Sequence, residues 1–222
     1  MEVKLIDKMG SDLSVVNAAR VSFAKTSDWE STHIPDTGGI ERKLSNADQK
    51  LIKYLAKHGH WSPFGHASVQ FHIKAPVFVA RQLVKHQVGL VWNEVSRRYV
   101  DSEPEFYTPL VWRGSPENKK QGSSDVEVDI DPNDFIRMVD SAKWMYEHLL
   151  EMGVCPEQAR MVLPQSMMTE WYWSGTLYAF ARVCNLRCKD DAQLETQMVA
   201  NQIDELAEEI FPYSWEALRD GD

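Results

Sequence analysis

Between Ser68 and Pro76 the apolar residues Val69, Phe71 and Ile73 alternate with Gln70, His72 and Lys74; from Pro76 onward Val77, Val79, Ala80, Leu83 and Val84 recur at helical spacing. A period of two places alternate side chains on opposite faces of a strand, whereas a period near 3.6 gathers them on one side of a helix. A chain that changes period at one proline must pack helices against a sheet. Pro76 suits a first helical position, where its missing N–H costs nothing. Upstream, the segment from His60 to His66 is rich in turn-forming residues.

The flanking sequence repeats these signals. Val3 to Ile6 is expected to be a short strand, and Ser11 or Asp12 to cap a helix carrying Val15, Val16, Ala19 and Val21. Residues Lys25 to Lys43 are polar, contain Pro35, Gly38 and Gly39, and are expected to form a long loop. Ser45 to Asp48 is a capping box with aspartate in the fourth position, leading a helix with Leu51, Ile52, Leu55 and Ala56 that should stop at Gly59. Glu105 to Tyr107 reads as a strand and Arg113 to Asp131 as an exposed loop.

Asp131-Pro132 then starts a helix whose stripe runs through Phe135, Met138, Val139, Ala142, Met145, Tyr146, Leu149 and Leu150 to Gly153. A shorter helix is expected from Pro156 to Val162, a strand over Met167 to Trp173, and a helix from Leu177 down to Arg187. The last helix, about Ala192 to Ile210, should bury Leu194, Met198, Ile203, Leu206 and Ile210. The pattern predicts an α+β fold in one domain spanning residues 1–222, with helices packed around a modest sheet.

With 222 residues, 43% hydrophobic and 8 Trp, the chain has ample material for a core. A net charge of −9 argues against a main partner among nucleic acid polymers, although local arginine clusters can still hold small anions. No apolar run approaches the roughly 20 residues of a membrane helix, and the opening MEVKLIDKMG lacks a signal-peptide core, so no membrane role and a cytoplasmic location are expected. The cysteines Cys155, Cys184 and Cys188 are odd in number and form no metal motif; buried packing is expected for all three. The imidazoles His58, His60, His66, His72 and His86 lack a carboxylate or thiol at supporting spacing, which argues for no metal.

The densest chemistry lies between Arg81 and Tyr99, RQLVKHQVGLVWNEVSRRY. Glu94 can accept from an N–H while Ser96, Arg97 and Arg98 can donate to oxyanions, so the segment offers partners for both the base edge and the phosphate of a nucleotide. Lys85-His86-Gln87, followed after eight residues by Ser96, resembles the Arg-His-Arg-x7/8-Ser signature of flavin-dependent thymidylate synthases. His58 to His66, HGHWSPFGH, resembles that family's HGHxTPFxH, and Asn185-Leu186-Arg187 resembles its nucleotide-activating segment. The matches extend from Asn17 to Gln193.

The resemblance implies a mostly antiparallel, curved sheet, a homotetramer with shared sites, FAD as cofactor, and conversion of dUMP to dTMP with 5,10-methylenetetrahydrofolate and NADPH. By motif it implies catalytic roles for Arg187 and Ser96. It implies flavin contacts by Ser62, Lys85, His86, Gln87, Glu94, Thr176, Tyr178 and Arg182, and substrate contacts by Gln82, Lys85, Glu94, Ser96, Arg97, Arg98, Arg160 and Arg187. Arginine at 187 would spread negative charge over the uracil ring, whereas the folate-only synthases use a cysteine in a Pro-Cys-His context that none of the three cysteines matches. Lys85 and Gln87 replace the signature's two arginines, Gly65 replaces a glutamate, and Asp191 stands where histidine is common. A flavin-poor or inactive nucleotide-binding relative on the same scaffold is the alternative, and pairing of Arg187 with Asp190 or Asp191 is the structural one.

Overall fold

The computed structural model describes residues 1–33, 40–117 and 122–219. The chain runs through β1 (Glu2–Met9), α1 (Asp12–Arg20), β2 (Glu30–His33), β3 (Ile40–Lys43), α2 (Asn46–Lys57), a 3-10 turn at Ser62–His66, β4 (Ser68–Pro76), α3 (Val77–Leu83) and β5 (Leu90–Glu94). It continues through β6 (Trp112–Arg113), β7 (Glu127–Val128), α4 (Pro132–Glu151), α5 (Pro156–Ala159), β8 (Met168–Thr176), α6 (Leu177–Arg187), α7 (Leu194–Ile210) and α8 (Pro212–Arg219). This is an α+β architecture.

The main sheet has the order β1-β4-β8-β5, with every neighbouring pair antiparallel. On β4 the predicted alternation holds: Val69, Phe71, Ile73 and Ala75 are buried, and Gln70, His72 and Lys74 lie on the other face, half-buried. On β8, Trp171 and Trp173 point into the same core. Trp92 of β5 stacks on Trp171 at 4.4 Å between ring centres and meets Trp173 edge-on at 5.4 Å. Such aromatic contacts add about 0.5–1.5 kcal/mol each beyond burial, so they pin the short β5 to its neighbour. Phe180 of α6 closes on both Phe71 and Trp173 at 5.1 Å.

Local signals account for several helix starts. Ser45 caps α2 as expected, its Oγ accepting from Asp48 N at 3.1 Å, but Asp48 Oδ2 takes the Ser45 hydroxyl at 2.7 Å rather than the Ser45 backbone N–H, so only half of the expected capping box is made. Asp131 Oδ1 accepts from Asn133 N at 2.9 Å ahead of Pro132. Asp12 departs from expectation: although it opens α1, its carboxylate is buried and accepts from Ser214 N at 2.7 Å and Tyr213 N at 3.4 Å. It caps α8 from across the chain.

Other elements also differ from the sequence reading. The polar stretch at 25–43 contains the β2–β3 pair, and its turn residues Pro35, Gly38 and Gly39 lie outside the described residues. The expected loop over 113–131 begins and ends in the β6–β7 pair, and the expected strand at Glu105–Tyr107 reduces to one bridge between Phe106 and Met167. Pro76 stands just ahead of α3, as the last residue of β4.

Two apolar stripes sit differently from their patterns. On α4 only Tyr146 is buried, while Met138, Trp144 and Met145 are exposed. On α7 the inward face carries Glu195, Thr196, Val199, Ala200, Ile203 and Ala207, turning Leu194 and Met198 outward. Glu195 can lie on that inward face because Arg113 of β6 pairs with it. Cys184 is buried and Cys188 half-buried, but Cys155, preceding the short α5, is exposed rather than packed.

Candidate active site

The chain leaves β8 at Thr176, whose Oγ1 accepts from Ala179 N at 3.2 Å and caps α6. The turn after α3 packs against this start. Gly89 has φ +79°, and a Cβ there would lie 3.0 Å from Ala179 Cβ and 3.2 Å from Thr176 Oγ1. Facing it, a Cβ on Gly175 would stand 2.5 Å from the Gly89 carbonyl oxygen. Two glycines thus let the strands approach closely enough to seat the Lys85-His86-Gln87 turn against α6.

At the far end of α6, Arg187 Nε donates to His86 Nε2 at 3.0 Å. His86 therefore accepts with Nε2 and carries its proton on Nδ1. Burial pushes its pKa down from the ordinary histidine value, and the charges of Arg187 and Arg182 push it further in the same direction. Arg187 does not pair with Asp190 or Asp191; among the described residues its two terminal nitrogens have no partner. Trp61, next to Ser62 in the 3-10 turn, brings its ring within 6.4 Å of Tyr178. Ser62, Thr176, Tyr178, Arg182, His86 and Arg187 thus belong to one region, with Lys85 and Gln87 exposed at its rim.

Gln82 enters this region from α3 with its orientation fixed. Its Nε2 donates to Gln193 Oε1 and its Oε1 accepts from Thr196 Oγ1 at 3.2 Å. Gln193 Nε2 in turn donates to Glu195 Oε2 at 3.0 Å. Arg113 Nη2 donates to both carboxylate oxygens of Glu195, at 2.8 and 3.0 Å, and Tyr107 OH donates to Oε1 at 3.4 Å. Burial alone would raise the Glu195 carboxyl, but the hydrogen bonds and charge of Arg113 hold it below the usual value. Gln193 and Thr196 carried no role in the sequence reading; the available signal was Gln193 at the end of the matched segment.

The remaining candidates lie elsewhere on the chain. Glu94 Oε1 accepts from Thr169 Oγ1 at 2.8 Å and its Oε2 accepts from Trp92 Nε1 at 3.2 Å. Beyond it, Ser96 Oγ accepts from Arg98 N at 3.4 Å and Arg98 Nε at 3.3 Å, and the Arg98 guanidinium sits 5.1 Å over the Tyr99 ring. Arg97 donates to the Ser102 carbonyl, and exposed Arg160 to the Glu157 carbonyl. Between the two groups, β5 runs from opposite Gly175 to opposite Trp171, about 13 Å at the usual rise per residue. Among the described residues, no hydrogen bond, ion pair or ring contact joins Ser96–Tyr99 or Arg160 to Arg187.

Beside the first group, a cavity of about 350 Å³ opens over the sheet between Gln70, Gly89, Val91, Ser174 and Thr176. Among the described residues no cluster of histidine, cysteine or carboxylate side chains could hold a metal ion, and no helix is long and apolar enough to cross a membrane.

The chain matches the family described as thymidylate synthase complementing protein over residues 4–213. It is 37% identical over 219 residues to a flavin-dependent thymidylate synthase of Thermus thermophilus, covering 98% of this chain and 75% of that protein. Its identity to the enzyme of the same name from Kosmotoga olearia is 38% over 219 residues, covering 97% of this chain and 88% of that one. Among solved structures, it resembles the UMP/dUMP methylase PolB of Streptomyces cacaoi bound with 5-Br dUMP, with a TM-score of 0.79 and 31% identity over 99% of this chain and 94% of that one.

Proposed function

The chain belongs to the thymidylate synthase complementing protein family, and from that premise we propose how its two separated groups of residues serve one reaction. The protein is a flavin-dependent thymidylate synthase, converting dUMP to dTMP with methylenetetrahydrofolate as methylene donor and NADPH as reductant. The observation that carries the residue assignment is the contact between Arg187 and His86, which joins two motifs 101 residues apart. It leaves the guanidinium's terminal nitrogens available for the substrate.

A flavin dinucleotide requires cations for its diphosphate, hydroxyl donors, and flat faces for its ring. The α6 region offers Lys85, Arg182 and Arg187 as cations, the hydroxyls of Thr176 and Ser62, and the rings of Trp61 and Tyr178. The residues present fit FAD, with Lys85, His86, Gln87, Thr176, Tyr178 and Arg182 holding it. FAD supplies the reducing equivalents drawn from NADPH.

Arg187 would act on dUMP as a fixed, permanently charged fork that takes two acceptors of the pyrimidine. Each charge-assisted bond contributes about 1.5–3 kcal/mol, and negative charge drawn onto the carbonyl edge makes C5 nucleophilic. His86, neutral and accepting from Nε, aims that fork. Gln82, locked by Gln193 and Thr196, presents its remaining amide hydrogen and lone pair. No cysteine nucleophile is required: Cys184 is fully buried and Cys155 lies outside this group.

Glu94, Ser96, Arg97, Arg98 and Arg160 would bind the base and phosphate of a nucleotide seated on a neighbouring subunit. The exposed Met138, Trp144 and Met145 of α4 support burial between copies. We therefore read residues 1–222 as one domain of a homotetramer with composite sites, located in the cytoplasm.

The test is to incubate purified protein with dUMP, methylenetetrahydrofolate and NADPH and to follow dTMP, release of the C5 hydrogen and the flavin absorbance, with UMP in parallel. Formation of dTMP by yellow protein supports the assignment. Protein that stays colourless with added FAD and makes no product would favour a flavin-poor nucleotide-binding relative, the reading that Lys85 and Gln87 suggest.

A further inference from the structure

We propose that a second cavity, walled by Phe78, Tyr107, Trp112 and Phe135, is a binding site for a neutral, nucleobase-like ring that carries a hydrogen-bond donor beside an acceptor on one edge. The cavity measures about 330 Å³ and lies where α3, the segment before β6, the first turn of α4 and the start of α7 converge. Small-molecule sites begin at about this size and are lined in the same way, by aromatic side chains with a few polar groups. None of the residues assigned to the flavin or to dUMP lines it.

Two aromatic pairs form the walls. Phe78 and Tyr107 lie 6.0 Å apart between ring centres, tilted by 58°, and Trp112 meets Phe135 edge-on at 5.2 Å. The backbone fixes the first pair: Phe78 N donates to the Gln165 carbonyl at 3.1 Å and Tyr107 N to the Ser166 carbonyl at 2.8 Å. Trp112 is carried by the β6–β7 pair and Phe135 by the turn that Asp131 caps. Every base has a π-face, so such walls favour flat rings.

Charge argues against an ionic ligand. Arg113 and Glu195 are the charged residues of the lining, and each neutralises the other. Arg113 Nη2 donates to both carboxylate oxygens, at 2.8 and 3.0 Å, and its Nε donates to Ser123 Oγ at 2.8 Å. No net charge is left for a phosphate, which sets this cavity apart from the arginine-rich nucleotide groups.

The polar groups that remain are mixed in kind. Ser166 Oγ is buried and has no hydrogen-bond partner among the described residues, a costly state that a ligand edge at this wall relieves. Gln193 Nε2 uses one hydrogen on Glu195 and keeps the other. Tyr107 OH donates to Glu195 Oε1 at 3.4 Å, which leaves its oxygen able to accept. Burial and the charge of Glu195 push that hydroxyl above its ordinary pKa, so it stays neutral. A ring edge with donor and acceptor side by side meets this set, whereas an edge of acceptors alone leaves the Tyr107 oxygen unpaired. Purines, pyrimidines and pteridines share the required edge.

The test is a calorimetric titration of the purified protein with FAD and dUMP present in excess, so that the groups around Arg187 are filled. Adenosine, thymidine and pterin are the probes, one for each ring class, and caffeine is a flat ring without a donor edge. At least one probe is expected to bind one-to-one, the tightest naming the class, with caffeine weaker by about five-fold or more. AMP should bind no more tightly than adenosine. Phe135→Ala removes a stacking face and should weaken the probe by at least about five-fold. Ser166→Ala should weaken it by about two- to ten-fold, and Arg187→Ala should leave its affinity unchanged; urea midpoints establish that each variant is folded.

The absence of binding by all three probes would overturn the proposal, as would caffeine bound as well as the tightest probe or AMP bound more tightly than adenosine. Affinity unmoved by Phe135→Ala or by Ser166→Ala, or lost in Arg187→Ala, would overturn it too. The cavity does not rest on the proposed function: protein that takes up no FAD and makes no dTMP counts against that function alone, and the titration still decides the site.

Discussion

The two groups that make up the proposed site are held by opposite means. Around α6, the contacts are long-range: Arg187 to His86 spans 101 residues and Gln82 to Thr196 spans 114. Around Ser96, bonds span two residues from Arg98 and five from Arg97 to Ser102, and Arg98, Tyr99 and Arg160 are exposed. The first group is positioned by the same packing that folds the chain. In the second only Glu94 is tied to a distant residue, Thr169; Ser96 to Arg98 and Arg160 have only local bonds, so their geometry toward a substrate must come from whatever they meet. One chain supplies a rigid half and an adaptable half.

The sharpest way to break this comparison is to disable each half separately. Arg187→Ala is expected to lower release of the C5 hydrogen of dUMP by about 10²–10³-fold with the flavin spectrum intact, since it removes charge stabilisation that develops along the reaction. Arg98→Ala should instead weaken dUMP binding, by about 1.5–3 kcal/mol in KM, with kcat less affected. Subunits of the two variants, mixed and reassociated, should recover up to about a quarter of the parental activity if the halves come from different copies. No recovery would place both halves on one chain.

Acid should separate the halves next. With its folded pKa below the ordinary value near 6.5, His86 binds its proton in the unfolded chain first. The stability it contributes is complete above that value and is lost as pH falls toward the lowered one, where the acceptor for Arg187 also disappears. Turnover is therefore expected to hold steady through the ordinary histidine value near pH 6.5 and to fall only at more acid pH, where the folded His86 takes its proton, whereas Arg187→Ala should lose that acid limb. A pH profile of kcat for parent and variant decides it.

Smaller effects probe the supports. Glu195→Gln leaves Arg113 without its buried counter-charge and should lower stability by about 2–3 kcal/mol, read from the urea midpoint, while raising KM through the loosened Gln82. The double change Lys85→Arg with Gln87→Arg restores two forked donors and should tighten FAD by a few-fold, about 1 kcal/mol, in a fluorescence titration. Unchanged affinity would remove those two positions from the cofactor.

What could be read from the sequence follows the same division between local and distant causes. The alternation on β4, the serine cap of α2 and the start of α4 were legible because each depends on residues within a few positions. The inward face of α7 was not, because Glu195 is buried only by virtue of Arg113, 82 residues away. Nor did the stripe on α4 reveal that only Tyr146 is fully covered in a single chain while Met138 and Met145 are exposed, since periodicity reports apolar faces and not what covers them. At the site, the motif around Arg187 named the residue; only the fold showed which imidazole it leans on. The strand reading of Glu105–Tyr107 failed for want of a partner beyond the single bridge to Met167.

The carboxylate of Asp12 has a consequence for how this protein comes into being. It is set in the first helix, yet its amide donors belong to residues 213 and 214. While α8 is undocked the amides of Tyr213 and Ser214 are missing and water must hold the carboxylate in their place. Packing α8 against α1 therefore exchanges a hydrated charge for a buried one held by two amides, a step that links residues some two hundred positions apart.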